Sequence, residues 1–173
     1  MSLQKLVKKH NISEEIKDIN ESLLKECFEQ RELFDPQKIP LNNNFELNSK
    51  YTNFLYNIFY QISNKHLNKF HLTDINLKLW CYISDQKFNR TEWHNHLNTT
   101  TINSVLYLKT QNKGIFFRLK DEEIYISPND GDLLIFPSFL EHLPEVSTTE
   151  PRVTINLEFR CLESAEQIFK INK

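Results

Sequence analysis

Three of the six histidines are the residues of this sequence best suited to metal chemistry. His94 and His96 stand two positions apart, and His142 follows much later in the chain. Residues i and i+2 of an extended segment project from the same face, so both imidazoles can approach one ion and a distant histidine can complete the set. The spacing therefore predicts a metal centre at His94, His96 and His142. Imidazole binds Zn, Cu, Fe and Ni alike, so these ligands do not choose the metal. The alternative is that His94 and His96 are surface residues near a turn.

Arg152 follows His142 by ten residues and begins a segment of regular alternation that ends at Arg160. The apolar side chains share one face, and the polar ones share the other: Val153, Ile155, Leu157 and Phe159 against Arg152, Thr154 and Asn156. If the apolar face packs under helices, the polar face looks into a barrel. An arginine there presents a planar fork suited to a carboxylate. The alternative is a rim arginine paired with Glu150 or Glu158.

Tyr107 and Asn156 are secondary candidates for polar contacts to a ligand bound in the barrel. Each could equally be a hydrogen-bonding residue of the core. Between the histidine groups, Gly131 permits a tight turn before a buried strand, and Pro137 ends that strand. This arrangement predicts that His142 lies at the mouth of the barrel.

The N-terminal part of the chain has helical periodicity. Apolar residues recur at three or four positions between residues 12 and 34, and Asn11 and Glu14 could form the capping box of this helix. Residues 35–50 hold two prolines and an asparagine run, which predict a loop. A second helix is predicted over residues 51–67.

From Ile75 onward the period changes to two, and strands dominate. The predicted strands after the alternating segment 75–82 are Ile102–Lys109, Gly114–Leu119, Glu122–Ser127, Leu133–Phe136 and Arg152–Arg160. Helices first and strands after, without a βαβ rhythm, predict an α+β barrel or sandwich rather than a doubly wound sheet. We expect one domain over residues 1–173, with mainly helical support over 1–70 and the strand-rich core over 71–162.

Composition narrows the possible partners. The chain has 173 residues, enough for one domain with a substantial core. Its 21 basic and 23 acidic residues leave a net charge of -2, which argues against long nucleic acid and anionic membrane surfaces as partners. Three cysteines without a CxxC motif fit reduced thiols, and no apolar run approaches the ~20 residues of a membrane span. These features predict a cytoplasmic protein.

Residues 93–159 resemble the 2-oxoglutarate- and Fe(II)-dependent oxygenases of phages and marine bacteria, which belong to the wider group of double-stranded β-helix dioxygenases. The matching features occur in the same order along the chain: the His94–His96 group, the 102–108 strand, Gly114 before a strand, the Gly131–Ser138 run, His142 and the Arg152–Asn156 run. The resemblance implies a jelly-roll (cupin-like) barrel in which His94, His96 and His142 bind the metal. It also implies that Arg152 binds the distal carboxylate of 2-oxoglutarate.

Two residues depart from the pattern of that group. The wider group usually has Asp or Glu where this chain has His96, so a third imidazole replaces a carboxylate ligand. Asn103 also stands where a glycine is expected before Ser104. The first 90 residues carry no recognised motif.

The resemblance implies an oxygenase that uses Fe(II), 2-oxoglutarate and dioxygen to hydroxylate an unidentified substrate, with release of succinate and CO2. A cupin-type dioxygenase with three histidines and no 2-oxoglutarate is one alternative, although no glutamate follows His96 at the short spacing common in cupins. A non-catalytic metal-binding or sugar-binding jelly-roll module is the other. The sequence does not fix the oligomeric state.

Overall fold

The computed structural model describes residues 2–33, 44–73, 78–85, 92–147 and 150–171. After a short 3-10 turn at Leu3–Lys5, the helices are α1 (Ser13–Ile16), α2 (Asn20–Leu33), α3 (Thr52–His66) and α4 (Ala165–Ile168). The strands are β1 (Lys8–Asn11), β2 (Asn44–Leu47), β3 (Leu79–Ser84), β4 (Ile102–Lys109), β5 (Ile115–Leu119), β6 (Glu122–Ile126), β7 (Asp132–Pro137), β8 (Glu141–Pro144) and β9 (Arg152–Phe159).

The strands form two antiparallel sheets. A major sheet has the order β1-β7-β4-β9-β3-β2, and a minor sheet has the order β6-β5-β8. The two sheets meet through aromatic rings, because Phe117 of β5 lies 4.9 Å from Phe136 of β7 between ring centroids. Two facing antiparallel sheets with a few helices make this an α+β double-stranded β-helix, which confirms the predicted fold class.

The apolar face of β9 is covered by α3. Val153, Ile155 and Leu157 are fully buried, and the Phe159 ring packs edge-on against Tyr56 of α3 with centroids 5.5 Å apart. The Tyr56 hydroxyl also donates to the Lys78 carbonyl, just before β3. The helix therefore lies on the outer face of the major sheet, which leaves the opposite face of β9 for the interior between the sheets.

The first predicted helix is divided in the structure. α1 ends at Ile16, and α2 begins only at Asn20, after a turn in which the Ile19 N–H donates to the Ile16 carbonyl. Asp18 and Asn20 favour turns over helix interiors, which accounts for the break. The predicted capping box is wrong: the N-cap residue of α1 is Ile12, which makes no side-chain capping hydrogen bond, and the side-chain Oδ1 of Asn11 accepts from the Ser13 N–H. The second predicted helix matches α3.

Two short strands lie in the N-terminal part that was expected to be mainly helical. β1 pairs with β7 at one edge of the major sheet, and β2 pairs with β3 at the other. The loop predicted over residues 35–50 is thus corrected at its C-terminal end, where Phe45 and Leu47 are buried and alternate with polar residues. Residues 34–43 of that segment lie outside the described residues.

The strands of the C-terminal half match the predictions within one residue at their ends, with three exceptions. Residues 74–77, at the start of the predicted 75–82 segment, lie outside the described residues, and β3 continues to Ser84. β8 was not predicted, and His142 lies within this strand with 5% exposure; its position at the mouth of the barrel stays a prediction. Gly131 has a positive φ of 83°, as its turn requires. Among the described residues, no helix is long and apolar enough to cross a membrane.

Candidate metal centre and oxoacid pocket

The three histidines predicted as ligands lie together between the sheets. One ring nitrogen from each of His94, His96 and His142 lies within 4.8 Å of the other two. Nitrogen ligands at ~2.0–2.1 Å from one ion lie about 3–4 Å apart, so a separation of up to 4.8 Å would have to shorten when an ion binds. Among the described residues, no carboxylate belongs to this group. Their role as metal ligands stays a prediction.

Backbone pairing brings the two histidine segments together. His94 and His142 form an isolated antiparallel bridge in which each N–H donates to the other residue's carbonyl, with N···O distances of 3.2 and 2.9 Å. The His96 N–H donates to the Ser138 carbonyl at 2.9 Å. The segment 94–96 therefore runs beside the chain that enters β8, and its extended course places both rings near His142.

Two of the rings have a second nitrogen engaged elsewhere. The Nδ1 of His142 lies 3.2 Å from the Leu140 carbonyl, to which an Nδ1–H donates. The Nδ1 of His96 lies 2.9 Å from Oε1 of Glu158. A metal ion bound to either of these rings would therefore be held by Nε2. Partners of this kind fix ring orientation and tautomer in metal sites.

Arg152 is buried in the same pocket at the start of β9. It is 2% exposed, and its Nη1 donates to the Gly114 carbonyl at 2.9 Å, whereas its Nε has no hydrogen-bond partner in the part of the chain that the structure describes. The predicted alternative of a rim ion pair is wrong, because Glu158 pairs with His96 and Glu150 pairs with Lys109. Arg152 is thus a buried cation with no ion-pair partner among the described residues, which is costly unless an anion binds there.

Tyr107 of β4 lies beside this arginine. Burial raises the pKa of Tyr107 to about 12, although the positive charge of Arg152 acts in the opposite direction. The phenol therefore stays protonated at neutral pH and can donate to an anionic ligand. Two aromatic rings flank the guanidinium, whose carbon lies 6.0 Å from the Tyr107 ring centroid and 5.9 Å from that of Tyr82.

Strands β4 and β9 supply about half of the residues that line the pocket joining the histidines to Arg152. The empty space between these residues, part of it open to solvent, amounts to about 590 Å³. Asn156 lines it, as the register of β9 predicted. Asn103 and Ser104 also line it, and both are buried with side-chain polar atoms that have no partner.

The likeness of this chain to known proteins is structural. No family model matches the sequence, and no curated protein matches it. A Pseudomonas putida prolyl-4-hydroxylase structure has 15% identity and a TM-score of 0.61, with 90% of this chain and 92% of that chain covered. A Trichoplax adhaerens prolyl hydroxylase, solved with a hypoxia inducible factor peptide fragment, has 12% identity and a TM-score of 0.61, with 90% and 84% covered. A Phytophthora capsici prolyl 4-hydroxylase has 13% identity and a TM-score of 0.50, with 79% and 54% covered.

The chain shares the prolyl hydroxylase fold. At these identities the likeness concerns the architecture alone, and the chemistry of the pocket has to be argued from the residues of this chain.

Several residues that line the pocket were not predicted as site residues. Asn44 belongs to β2, which was taken for a loop, and Glu158 was considered only as a partner of Arg152. Tyr82 stands on the polar face of the alternating segment 75–82, so the sequence did carry a signal for it. The sequence carried no signal for the contact between Glu158 and His96, because that contact depends on the path of the segment around His96.

A cluster of one aromatic and two charged side chains lies beside the histidines: Trp93, Arg118 and Glu141. The Arg118 guanidinium stacks over the Trp93 ring at 4.3 Å, and its Nε donates to Glu141 at 2.9 Å. Trp93 precedes His94 and Glu141 precedes His142, so this cluster links the two histidine segments through Arg118.

Proposed function

We propose that the protein is a 2-oxoglutarate- and Fe(II)-dependent oxygenase that hydroxylates an unidentified substrate. Fe(II) would be held by His94, His96 and His142, and the distal carboxylate of 2-oxoglutarate by Arg152. The observation that carries the proposal is the buried Arg152, which has an open Nε and no ion-pair partner among the described residues. The pocket that contains it also contains the histidine group.

The donor sets of the pocket fit both groups. Imidazole nitrogens suit Fe(II), and three of them leave coordination positions for a chelating oxoacid and for dioxygen. The guanidinium of Arg152 and the phenol of Tyr107 are both donors, which match a carboxylate. Asn156 adds an amide on the same face of β9 as Arg152.

Bound Fe(II) and 2-oxoglutarate would supply dioxygen activation, with one oxygen atom passing to the substrate C–H bond and the other to succinate as CO2 is released. The residues of the chain bind and orient. Arg152 would fix the distal end of the oxoacid, Tyr107 would donate to it without losing its proton, and the Leu140 carbonyl would hold the His142 ring. The apolar contacts of Phe117 and Phe136 with each other and with the His142 ring exclude water from that side.

The testing experiment is anaerobic reconstitution with Fe(II), followed by addition of 2-oxoglutarate. We expect a visible charge-transfer band, and on exposure to oxygen a slow formation of succinate. Zn-loaded protein is the control, because it can bind the oxoacid but gives no such band.

Two other results would replace the proposal. Oxygen consumption with a carboxylated compound, but no response to 2-oxoglutarate, would identify a three-histidine dioxygenase of the cupin type. Metal binding without either response would identify a non-catalytic jelly-roll module.

A further inference from the structure

Glu158 is an acidic residue of the pocket that the proposed chemistry does not use. It lies on β9, in the register of the polar face that also carries Arg152 and Asn156. Its Oε1 lies 2.9 Å from Nδ1 of His96, and both side chains are 26% exposed. This contact joins a carboxylate of the major sheet to a histidine of the candidate metal group.

The carboxylate contacts the ring and stands outside the candidate ligand group. The group whose atoms lie within 4.8 Å of one another contains the three histidines and does not include Glu158. An Nδ1–H that donates to Glu158 leaves Nε2 of His96 as the only nitrogen available to an ion. The partner of His142 differs in kind, because its Nδ1 faces the neutral carbonyl of Leu140.

The charge of the three-histidine site indicates a role for the contact between Glu158 and His96. Three neutral imidazoles leave a divalent ion one charge more positive than two histidines and a carboxylate would. A carboxylate that accepts from a ligating histidine makes the ring more basic and returns part of that negative charge. Glu158 is placed to do this at the one position where a histidine stands in the place of an acidic ligand.

We propose that Glu158 is a positioning residue that takes over, through His96, the role of the missing carboxylate ligand. It fixes the ring with Nε2 toward the ion and offsets the charge of the metal. This inference rests on the metal site of the proposed function.

Calorimetric titration with Co(II), a redox-stable probe for Fe(II), tests it on native protein and five variants. Glu158→Ala should lower the Co(II) affinity by about 10- to 100-fold, the range found when outer partners of metal ligands are removed. Glu158→Gln keeps an acceptor oxygen and loses the charge, so its Co(II) affinity should lie between that of the native protein and that of Glu158→Ala. Glu163→Ala is the matched control, because it breaks a similar pair with His71 on the protein surface, at 2.6 Å; it should leave the affinity unchanged.

The His96→Asp background separates a positioning role from a structural one. With a carboxylate ligand at position 96, Glu158 has no ring to orient and adds a repelling charge. Glu158→Ala should therefore leave the affinity of the His96→Asp protein unchanged or raise it. An equal loss in both backgrounds would overturn the inference.

Further outcomes are equally decisive. Native affinity in both Glu158 variants, with melting temperatures near that of the native protein, would overturn the inference and leave the proposed function standing. Absence of Co(II) binding by the native protein would overturn both. If Glu158→Ala does not fold, Glu158→Gln gives the same comparison, since the amide has nearly the shape of the carboxylate.

Discussion

At the residue scale, Arg152 combines burial with incomplete hydrogen bonding. Its Nη1 donates to the Gly114 carbonyl, and its Nε has no hydrogen-bond partner within the described residues. Gly114 permits this close packing, because a Cβ there would lie 2.3 Å from the Ile126 carbonyl oxygen. A bound carboxylate would complete the contacts of the guanidinium, so the effect of replacing Arg152 should appear in co-substrate binding.

Arg152→Ala should weaken 2-oxoglutarate binding to Mn-loaded protein by at least about tenfold, because a charge-assisted contact of ~1.5–3 kcal/mol is lost. Metal affinity should remain close to native, since arginine is not a ligand. Arg152→Lys should recover part of the loss, because the charge returns without the planar fork. Calorimetric titration measures the 2-oxoglutarate affinity of both variants and the metal affinity of Arg152→Ala.

Arg160→Ala is the matched control for this series. Arg160 lies just beyond the other end of β9, is exposed, and donates to the Thr99 carbonyl. Unchanged 2-oxoglutarate affinity in Arg152→Ala would remove the basis of the proposed function.

The sequence predicted those site residues whose placement follows from local periodicity. The alternation of residues 152–159 placed Arg152 and Asn156 on the pocket face, and the i, i+2 spacing brought His94 and His96 together. The partner of His96 was not predictable, because Glu158 comes near it only after β9 has paired with β4. Side-chain contacts between distant segments have no local signal.

At the element scale, one carboxylate adds to the backbone pairing that attaches β1 to β7. Asp132 accepts from Asn11 at 2.9 Å and from the Asn129 N–H at 2.7 Å, and it pairs with Lys9 at 2.8 Å. Burial alone would raise the pKa of Asp132, but the hydrogen bonds from Lys9, Asn129 and Asn11 together lower it below its ordinary value. β1 was missed in the sequence because four mostly polar residues at a sheet edge show no apolar alternation.

Asp132→Asn should lower the free energy of unfolding at neutral pH by ~2 kcal/mol, because a buried charge-assisted network loses its anion. A lowered pKa means that the carboxylate stabilises the fold above its unfolded pKa of about 3.9, and that this contribution is lost as the pH falls through the folded pKa. The difference between native and variant protein should therefore shrink in acid. Urea denaturation at neutral and acid pH measures it.

Glu46→Gln is the control for that series. Glu46 pairs with Lys78 at the opposite edge of the major sheet, where both side chains are about half exposed, and such pairs contribute little. A loss for Asp132→Asn that stays constant from neutral to acid pH would show that the carboxylate charge is not what holds β1.

At the scale of the whole molecule, the pocket lies between two sheets that share few direct links. Arg152 of the major sheet bonds to Gly114 at the start of the minor sheet, and Phe117 packs on Phe136 across the interior. The helix-then-strand order of the sequence predicted this two-sheet core. The exact pairing order of the strands was beyond local patterns, because β9 pairs with β3 and β4 across long stretches of chain.

Ligands that bind only the folded protein stabilise it by mass action, by about 2.7 kcal/mol at a concentration 100 times the dissociation constant. We expect Mn(II) to raise the melting temperature, and 2-oxoglutarate to raise it by several further degrees only when metal is present. Differential scanning fluorimetry checks this. Arg152→Ala should keep the first increase and lose the second, whereas a metal-independent rise with 2-oxoglutarate would place the oxoacid away from the histidines.

The position of β9 also has a consequence for synthesis on the ribosome. β9 joins a β1-β7-β4 ribbon to a β3-β2 ribbon, although all five of those strands precede it in the chain. Until residues 152–159 emerge, β3 and β4 each present an unpaired edge, which is a hazard for association between nascent chains. Arg152, Asn156 and Glu158 all arrive on this same strand. The nascent protein therefore acquires its candidate oxoacid pocket in the same step that joins the two ribbons into one sheet.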